Sequence, residues 1–288
     1  MQVLPISSNI NKTSKSVAFG DCAIRNGSEK LATHLTYIGR DLRVNRKLLD
    51  SSAVNMMLSD KGCEYLFCGC SDGSEIFDIF MSLAYSFFEN KIPFRYLPKF
   101  RAFDSSEQMV NIAKNGRINI SNIGMSYIKS SYPKFNFFIN EGDIIHHSGD
   151  NIEELEDKIG SKVEHSYQFQ PSLLEKIDFY TGDMLHEFGK LAPDIYRIIF
   201  CRNVARYNTP QDQQEAAKLL DKNLAPGSLV VVGYYDEHNI TDKENNIIEE
   251  LKNNPDSAPR LPFTESLFKG RFGYEKNISY DNLVYKKY

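Results

Sequence analysis

Long apolar runs are missing from this 288-residue chain. The most apolar stretch, Ile76 to Phe88, carries Asp78 and is too short to span a bilayer, so no membrane insertion is expected. Residues 1–15 lack a continuous apolar core of the secretory type, so no signal peptide is expected either. Cysteines are few and odd in number, five, and Cys63, Cys68 and Cys70 fall on or beside an apolar run. That usage argues against disulfides and for a reducing, cytoplasmic home. Cys68-Gly-Cys70 lacks metal-ligand spacing, and the adjacent His146 and His147 would point to opposite faces of a strand, so no metal is expected. Positive charge is not in excess: the net charge is −4, which gives no general attraction to nucleic acid or acidic membranes. The six histidines are scattered and form no Ser-His-Asp or Cys-His arrangement. Neither Lys nor Arg lies between Gly62 and Asn90, and no full G-x-G-x-x-G pattern occurs there. A pyrophosphate is therefore disfavoured, and a small uncharged-to-cationic ligand is favoured.

What is present reads as alternating strands and helices. Apolar residues make up 41% of the chain, enough for one large α/β domain. Cys63-Glu-Tyr-Leu-Phe-Cys-Gly-Cys70 reads as a strand entering a turn, followed by Ser71-Asp-Gly-Ser-Glu75 and a helix from Ile76 to Phe88. Glycines in a first strand-to-helix turn let backbone approach a ligand closely. A second strand, Phe100 to Phe103, ends in Asp104, and a helix closed by Gly116 follows. An acid at that strand end is the usual partner of a ribose diol. A third strand, Ile177 to Tyr180, leads into Gly182-Asp183-Met184, placed to face an adenine. The run Ile198-Ile-Phe200 has the composition of a buried parallel strand and stops at Arg202-Asn203, with Tyr207 beyond it. Thr209 and Pro210 then read as N-cap and first residue of a helix whose apolar face is Ala216, Ala217, Leu220 and Leu224. Pro226-Gly227 turns the chain into another strand, Leu229 to Gly233. Open α/β sheets bind ligands outside the carboxyl ends of their strands, which puts Arg202, Asn203 and Tyr207 where chemistry is expected.

In this order along the chain, these pieces resemble the CheR-type chemotaxis receptor (protein-glutamate) methyltransferases. Thr33-His-Leu-Thr-Tyr-Ile-Gly-Arg-Asp41 is similar to that family's T-N-L-T-x-F-F-R-[ED] element. Cys70-Ser-Asp-Gly-Ser-Glu75 is similar to its C-S-T-G-E-E loop, and Ala102-Phe-Asp104 with Glu107 to Gly116 to its A-S-D-I-D segment and following helix. Phe200-Cys-Arg-Asn-Val-Ala-Arg-Tyr207 resembles F-C-R-N-V-x-I-Y, and Leu224-Ala-Pro-Gly-Ser-Leu229 resembles L-x-P-G-G-x-L. The resemblance covers residues 31–288. It implies an α/β, class I (Rossmann-like) methyltransferase fold with a central mixed seven-stranded sheet, Leu283 to Lys287 forming its last strand. It also implies S-adenosyl-L-methionine as cofactor and a protein side-chain carboxylate as methyl acceptor.

The departures are specific. His34 replaces an Asn, Ile38-Gly39 replace two aromatics, Asp72 and Ser74 alter the glycine loop, and Gly233-Tyr-Tyr-Asp236 stands in place of G-x-S-E-N. They bear on the acceptor more than on the cofactor. Residues 1–58 read as a flexible, polar N-terminus and a short helical lead-in, a reduced version of the family's N-terminal domain. Residues 59–288 read as the cofactor-binding domain. A β-rich insertion at about 117–175 holds Phe135, Phe137 and Phe138 and an acidic run at 153–157.

The resemblance carries roles onto particular residues. Arg40, Arg202 and Tyr207 are the catalytic candidates, since a planar guanidinium fork and a hydroxyl can hold a carboxylate at the methyl group. Thr36, Gly69, Cys70, Ser71, Gly73, Glu75, Asp104, Met109, Asp183, Met184, Arg202 and Asn203 are the cofactor-binding candidates, with Glu75 on the methionine moiety and Asp104 on the ribose. Plainer roles stay open: a solvated helix face for Arg40 beside Arg43, Arg46 and Lys47, a surface ion pair for Arg202, a half-buried core position for Tyr207, and a helix cap for Asp104. Two other functions stay open as well, methylation of a small molecule or another protein atom, and cofactor binding without catalysis.

Overall fold

In the computed structural model, the described residues are 63–89, 91, 93–121, 128–129, 139–145, 164–202, 204–233, 260–274 and 284–288. The helical lead-in, Thr36, Arg40, Asn203, the aromatic run at 135–138, the His146-His147 pair and the acidic run at 153–157 lie outside them.

Strand β1 (Cys63–Cys68) is buried along its whole length, as an almost wholly apolar strand with both faces covered must be. It pairs in parallel with β2 (Lys99–Asp104) on one side and β7 (Tyr196–Cys201) on the other. Outward from β2 comes β6 (Ile177–Thr181), and outward from β7 comes β8 (Leu229–Val232), both parallel to their neighbours. Strand β10 (Val284–Lys287) runs antiparallel between β8 and β9 (Phe272–Tyr274). The order β6-β2-β1-β7-β8-β10-β9 makes a mixed seven-stranded sheet in which β10 alone is reversed. This is the α/β class I methyltransferase sheet implied by the resemblance.

Side-chain alternation divides the two faces chemically. One face carries a ladder of rings: Phe67 stacks on Phe200 with centroids 4.6 Å apart, and Tyr65 stacks on Phe100 at 5.0 Å. Helix α1 (Ser74–Glu89) covers that ladder, with Phe80 meeting Phe100 edge-on at 5.0 Å. Phe77, Phe80, Leu83 and Phe87 of α1 are fully buried, each contributing about 1.5–3 kcal/mol by removal from water. The other face carries Glu64, Arg101 and Arg197, and α4 (Met184–Gly189) and α5 (Pro210–Asn223) pack there. On α5, Ala216, Ala217 and Leu220 are buried as their spacing predicts, and the Thr209 hydroxyl caps the helix by accepting from the Asp212 N–H. Helix α2 (Glu107–Asn115) is capped by Ser106 and ends at Gly116, whose φ of 63° is the left-handed conformation glycine adopts without strain.

Within residues 117–175, β3 (Arg117–Ser121), β5 (Glu164–Phe169) and β4 (Ile139–Ile145) form a separate antiparallel sheet in the order β3-β5-β4. A single helical turn, α3 (Pro171–Leu174), returns the chain to β6. The end of β5 belongs to the main core. Phe169 is fully buried, stacks on Phe77 at 4.7 Å and meets Phe80 edge-on at 5.7 Å. The carboxyl end of the insertion therefore packs into the main core beneath α1, which its sequence position did not reveal.

Candidate functional site

The site lies where β1, β2 and β7 end together. After β1 the chain turns through Gly69 (φ 71°), Ser71 (φ 50°) and Gly73 (φ 88°), three left-handed residues in five. Two of these positions admit only glycine comfortably. A Cβ at Gly69 would sit 2.5 Å from Val204 Cγ2, and one at Gly73 would sit 2.8 Å from Phe77 Cε2. Ser71 is a serine in a conformation that L-residues seldom adopt, and such strain is held only where surrounding bonds enforce it.

Those bonds come from the end of β2. The N–H groups of Gly69 and Cys70 both donate to the Phe103 carbonyl, at 2.9 and 3.0 Å. The Ser71 N–H donates to Asp104 Oδ2 at 3.0 Å, and the Ser106 N–H donates to Asp104 Oδ1 at 2.9 Å. Asp104 is thus no N-cap of α2, since Ser106 fills that place; its carboxylate ties the loops after β1 and β2 to each other. Asp72 is buried and accepts the Ser74 N–H at 3.0 Å, so the two residues that depart from the CheR-type loop pattern bond to each other and organise the first turn of α1.

Arg202 follows β7 and reaches back to α1. Its Nη1 donates to Glu75 Oε1 at 2.6 Å, with the arginine side chain 3% exposed and the glutamate 22%. Cys70 is enclosed, and burial, with Asp104 and Asp72 nearby, pushes its thiol well above the ordinary range. It therefore stays a neutral thiol and serves as filling, not as a nucleophile. The structure brings Gly69, Cys70, Ser71, Gly73, Glu75, Asp104 and Arg202 together where β1, β2 and β7 end. The pairing of Arg202 with Glu75 had no signal in the sequence, because 127 positions separate the partners.

Other candidates sit differently. Asp183 is exposed and caps α4, accepting from the N–H groups of Leu185 at 2.9 Å and His186 at 3.3 Å. Met184 and Met109 are buried among the core-facing residues of α4 and α2. Tyr207 ends a 3₁₀ turn (Ala205–Tyr207), half-buried, with the Arg206 guanidinium 5.9 Å from its ring centre.

A cavity of about 300 Å³ opens on the α4 face, lined by Arg101, Tyr180, His186, Glu187 and Lys190 among others. There Arg101 lies 3.5–4.0 Å from Glu64, Asp178 and Glu187, and Lys190 pairs with Glu187 at 3.0 Å. Its cations are matched by carboxylates, so this cluster is charge-balanced within itself.

The carboxylate-rich crevice fits a ligand with a ribose and a cationic end. Asp104 would hold the diol, and Glu75 would take the cation, in a loop whose backbone comes close because it carries no side chain at Gly69 and Gly73. Residues 146–253 match the sequence model of a family described as CheR methyltransferase, SAM binding domain. The CheR-type resemblance is borne out there, and S-adenosylmethionine is supported as cofactor. No curated protein matches significantly. Among solved structures, a protein of Methanococcus maripaludis inferred to be an S-adenosyl-L-methionine-dependent methyltransferase is 12% identical over 74% of this chain and 64% of its own, with a TM-score of 0.33. The MccD protein is 12% identical over 83% of this chain and 73% of its own, at 0.39. The phosphoethanolamine N-methyltransferase 2 of Haemonchus contortus, in complex with S-adenosyl-L-methionine, is 12% identical over 79% of this chain and 36% of its own, at 0.34. The chain spans less than two thirds of the first and third of these.

Proposed function

We propose that this chain transfers the methyl group of S-adenosylmethionine to a side-chain carboxylate, a glutamate, of a protein acceptor. The observation that carries the reading is the crevice at the ends of β1, β2 and β7, where Asp104 ties two loops together and Arg202 grips Glu75, within a fold of class I methyltransferase order. The cofactor supplies an electrophilic methyl group, which an acceptor oxygen can take without any proton changing hands. A glutamate is already ionised near neutral pH, its reference pKa being about 4.3. A carboxylate acceptor therefore asks no general base of the chain. Its task is orientation and exclusion of water. Tyr207 provides a hydroxyl beyond the end of β7, and Arg40 is the proposed cation for the acceptor carboxylate.

A protein acceptor also suits the second sheet. Strands β3 and β4 are the outer strands of the β3-β5-β4 sheet, and an extended segment of a partner can add to such an edge. The decisive experiment offers cofactor with a radiolabelled methyl to candidate proteins. Label in protein that is released as volatile methanol at alkaline pH marks a carboxyl ester. Label that stays bound points to another protein atom, and label in small molecules alone removes the protein acceptor. Tyr207→Phe should lower turnover at least fivefold while cofactor affinity by calorimetry stays within twofold, since its partner is the acceptor. Equal loss of both would place Tyr207 on the cofactor instead.

A further inference from the structure

The crevice holds its glutamate and its arginine on very different terms. Glu75 is the second residue of α1 and its side chain is partly exposed, whereas Arg202 is enclosed just past the end of β7 with Nη1 2.6 Å from Glu75 Oε1. A guanidinium so enclosed is out of reach of a carboxylate borne on a macromolecular acceptor, which counts against the catalytic role expected for Arg202. A free glutamate near a helix start samples several rotamers, and ordering it on ligand arrival weakens binding. A short charge-assisted bond to a buried, rigid donor removes that loss beforehand.

We propose that Arg202 is a positioning residue that serves the cofactor through Glu75: it holds one carboxylate oxygen at the crevice floor so that the other accepts from the ammonium of the methionine moiety. The same grip joins the segment after β7 to the first turn of α1, fixing the glycine loop between them. This inference rests on the S-adenosylmethionine reading above.

The test is a double-mutant cycle read by calorimetry with S-adenosylmethionine and S-adenosylhomocysteine, both of which carry that ammonium. Arg202→Ala and Glu75→Gln should each weaken both ligands at least tenfold. Arg202→Ala in the Glu75→Gln background should change affinity less than twofold further, because nothing remains to be positioned. Arg202→Lys should recover part of the loss, as a cation without the planar fork. Multiplying losses, to a hundredfold or more, would show that Arg202 touches the ligand itself and overturn the proposal, as would wild-type affinity in Arg202→Ala. If circular dichroism shows Arg202→Ala unfolded, Arg202→Lys with and without Glu75→Gln gives the same comparison. A wild-type chain that binds neither ligand would sink the cofactor reading instead, a separate outcome.

Discussion

Arg197, near the start of β7, and Arg202, just past its end, each pair with a glutamate at 2.6 Å, yet the two pairs are built for different purposes. At the start of the strand, Arg197 donates Nε to Glu64 Oε2 and Nη1 to the carbonyls of Ala192 and Ile195. Both side chains are under 10% exposed, and Arg101 approaches the second Glu64 oxygen at 3.5 Å. Both Glu64 oxygens are engaged there by arginines. Past the end of the strand, Arg202 is as enclosed as Arg197, but its partner Glu75 keeps 22% of its side chain exposed. The same residue types at the same distance make a closed structural bolt in one place and a half-open binding element in the other. What separates them is how much of the glutamate remains accessible.

The comparison is most sharply tested by stability. Arg197→Ala removes the 2.6 Å partner of buried Glu64, leaving Arg101 at 3.5 Å, and should cost about 3 kcal/mol in denaturant unfolding. A cost under 1 kcal/mol would mean water reaches that end of the sheet. Next in size, Asp104→Ala removes a carboxylate that holds two backbone N–H groups and, in our reading, a ribose diol. A lost hydrogen bond to a charged group is worth about 1.5–3 kcal/mol, so cofactor affinity by calorimetry should fall at least tenfold. Unchanged affinity would leave Asp104 as a loop tie only. Arg202→Ala should cost stability less than Arg197→Ala, about 1–2 kcal/mol, because the abandoned Glu75 can turn to solvent. Equal costs for the two arginines would erase the distinction between the two pairs.

The last effect is confined to alkaline pH. Burial, with Glu64 adding to it and Arg197 opposing, pushes the Cys63 thiol up to about 12 from 9.0. A folded-state value above the unfolded one stabilises fully below pH 9 and is lost as pH rises toward 12. Between those limits one such thiol removes about 1.4 kcal/mol of stability per pH unit. Cys63→Ala should therefore flatten the alkaline limb of the stability profile by about one proton, and an unchanged slope would show the thiol to be solvated.

Much of the sheet was legible from local pattern. The strand after Lys99, the cap at Thr209, the stop at Gly116 and the glycine turn after Cys68 follow from side-chain type at close sequence distance, and each sits where its residues predict. The roles of polar residues were less legible. Asp183 looked like an adenine contact and is a helix cap; Asp104 looked like a cap or a ribose ligand and ties two loops. A carboxylate near a strand end has several donors in reach, and which it meets depends on how neighbouring loops fold over it.

By itself the sequence determined the alternation of strands and helices, the turns that only glycine admits, and the placing of acids and an arginine at strand ends. Hydrophobic period, φ preference and capping act over a few residues, so they are written locally. Tertiary structure alone decided that Phe169, at the far end of an insertion, belongs to the core with Phe77 and Phe80, and that Arg197 and Arg202 have partners of such different openness. Those outcomes depend on packing between segments distant in the chain, and burial, which sets the worth of a charge, is a property of the assembled fold.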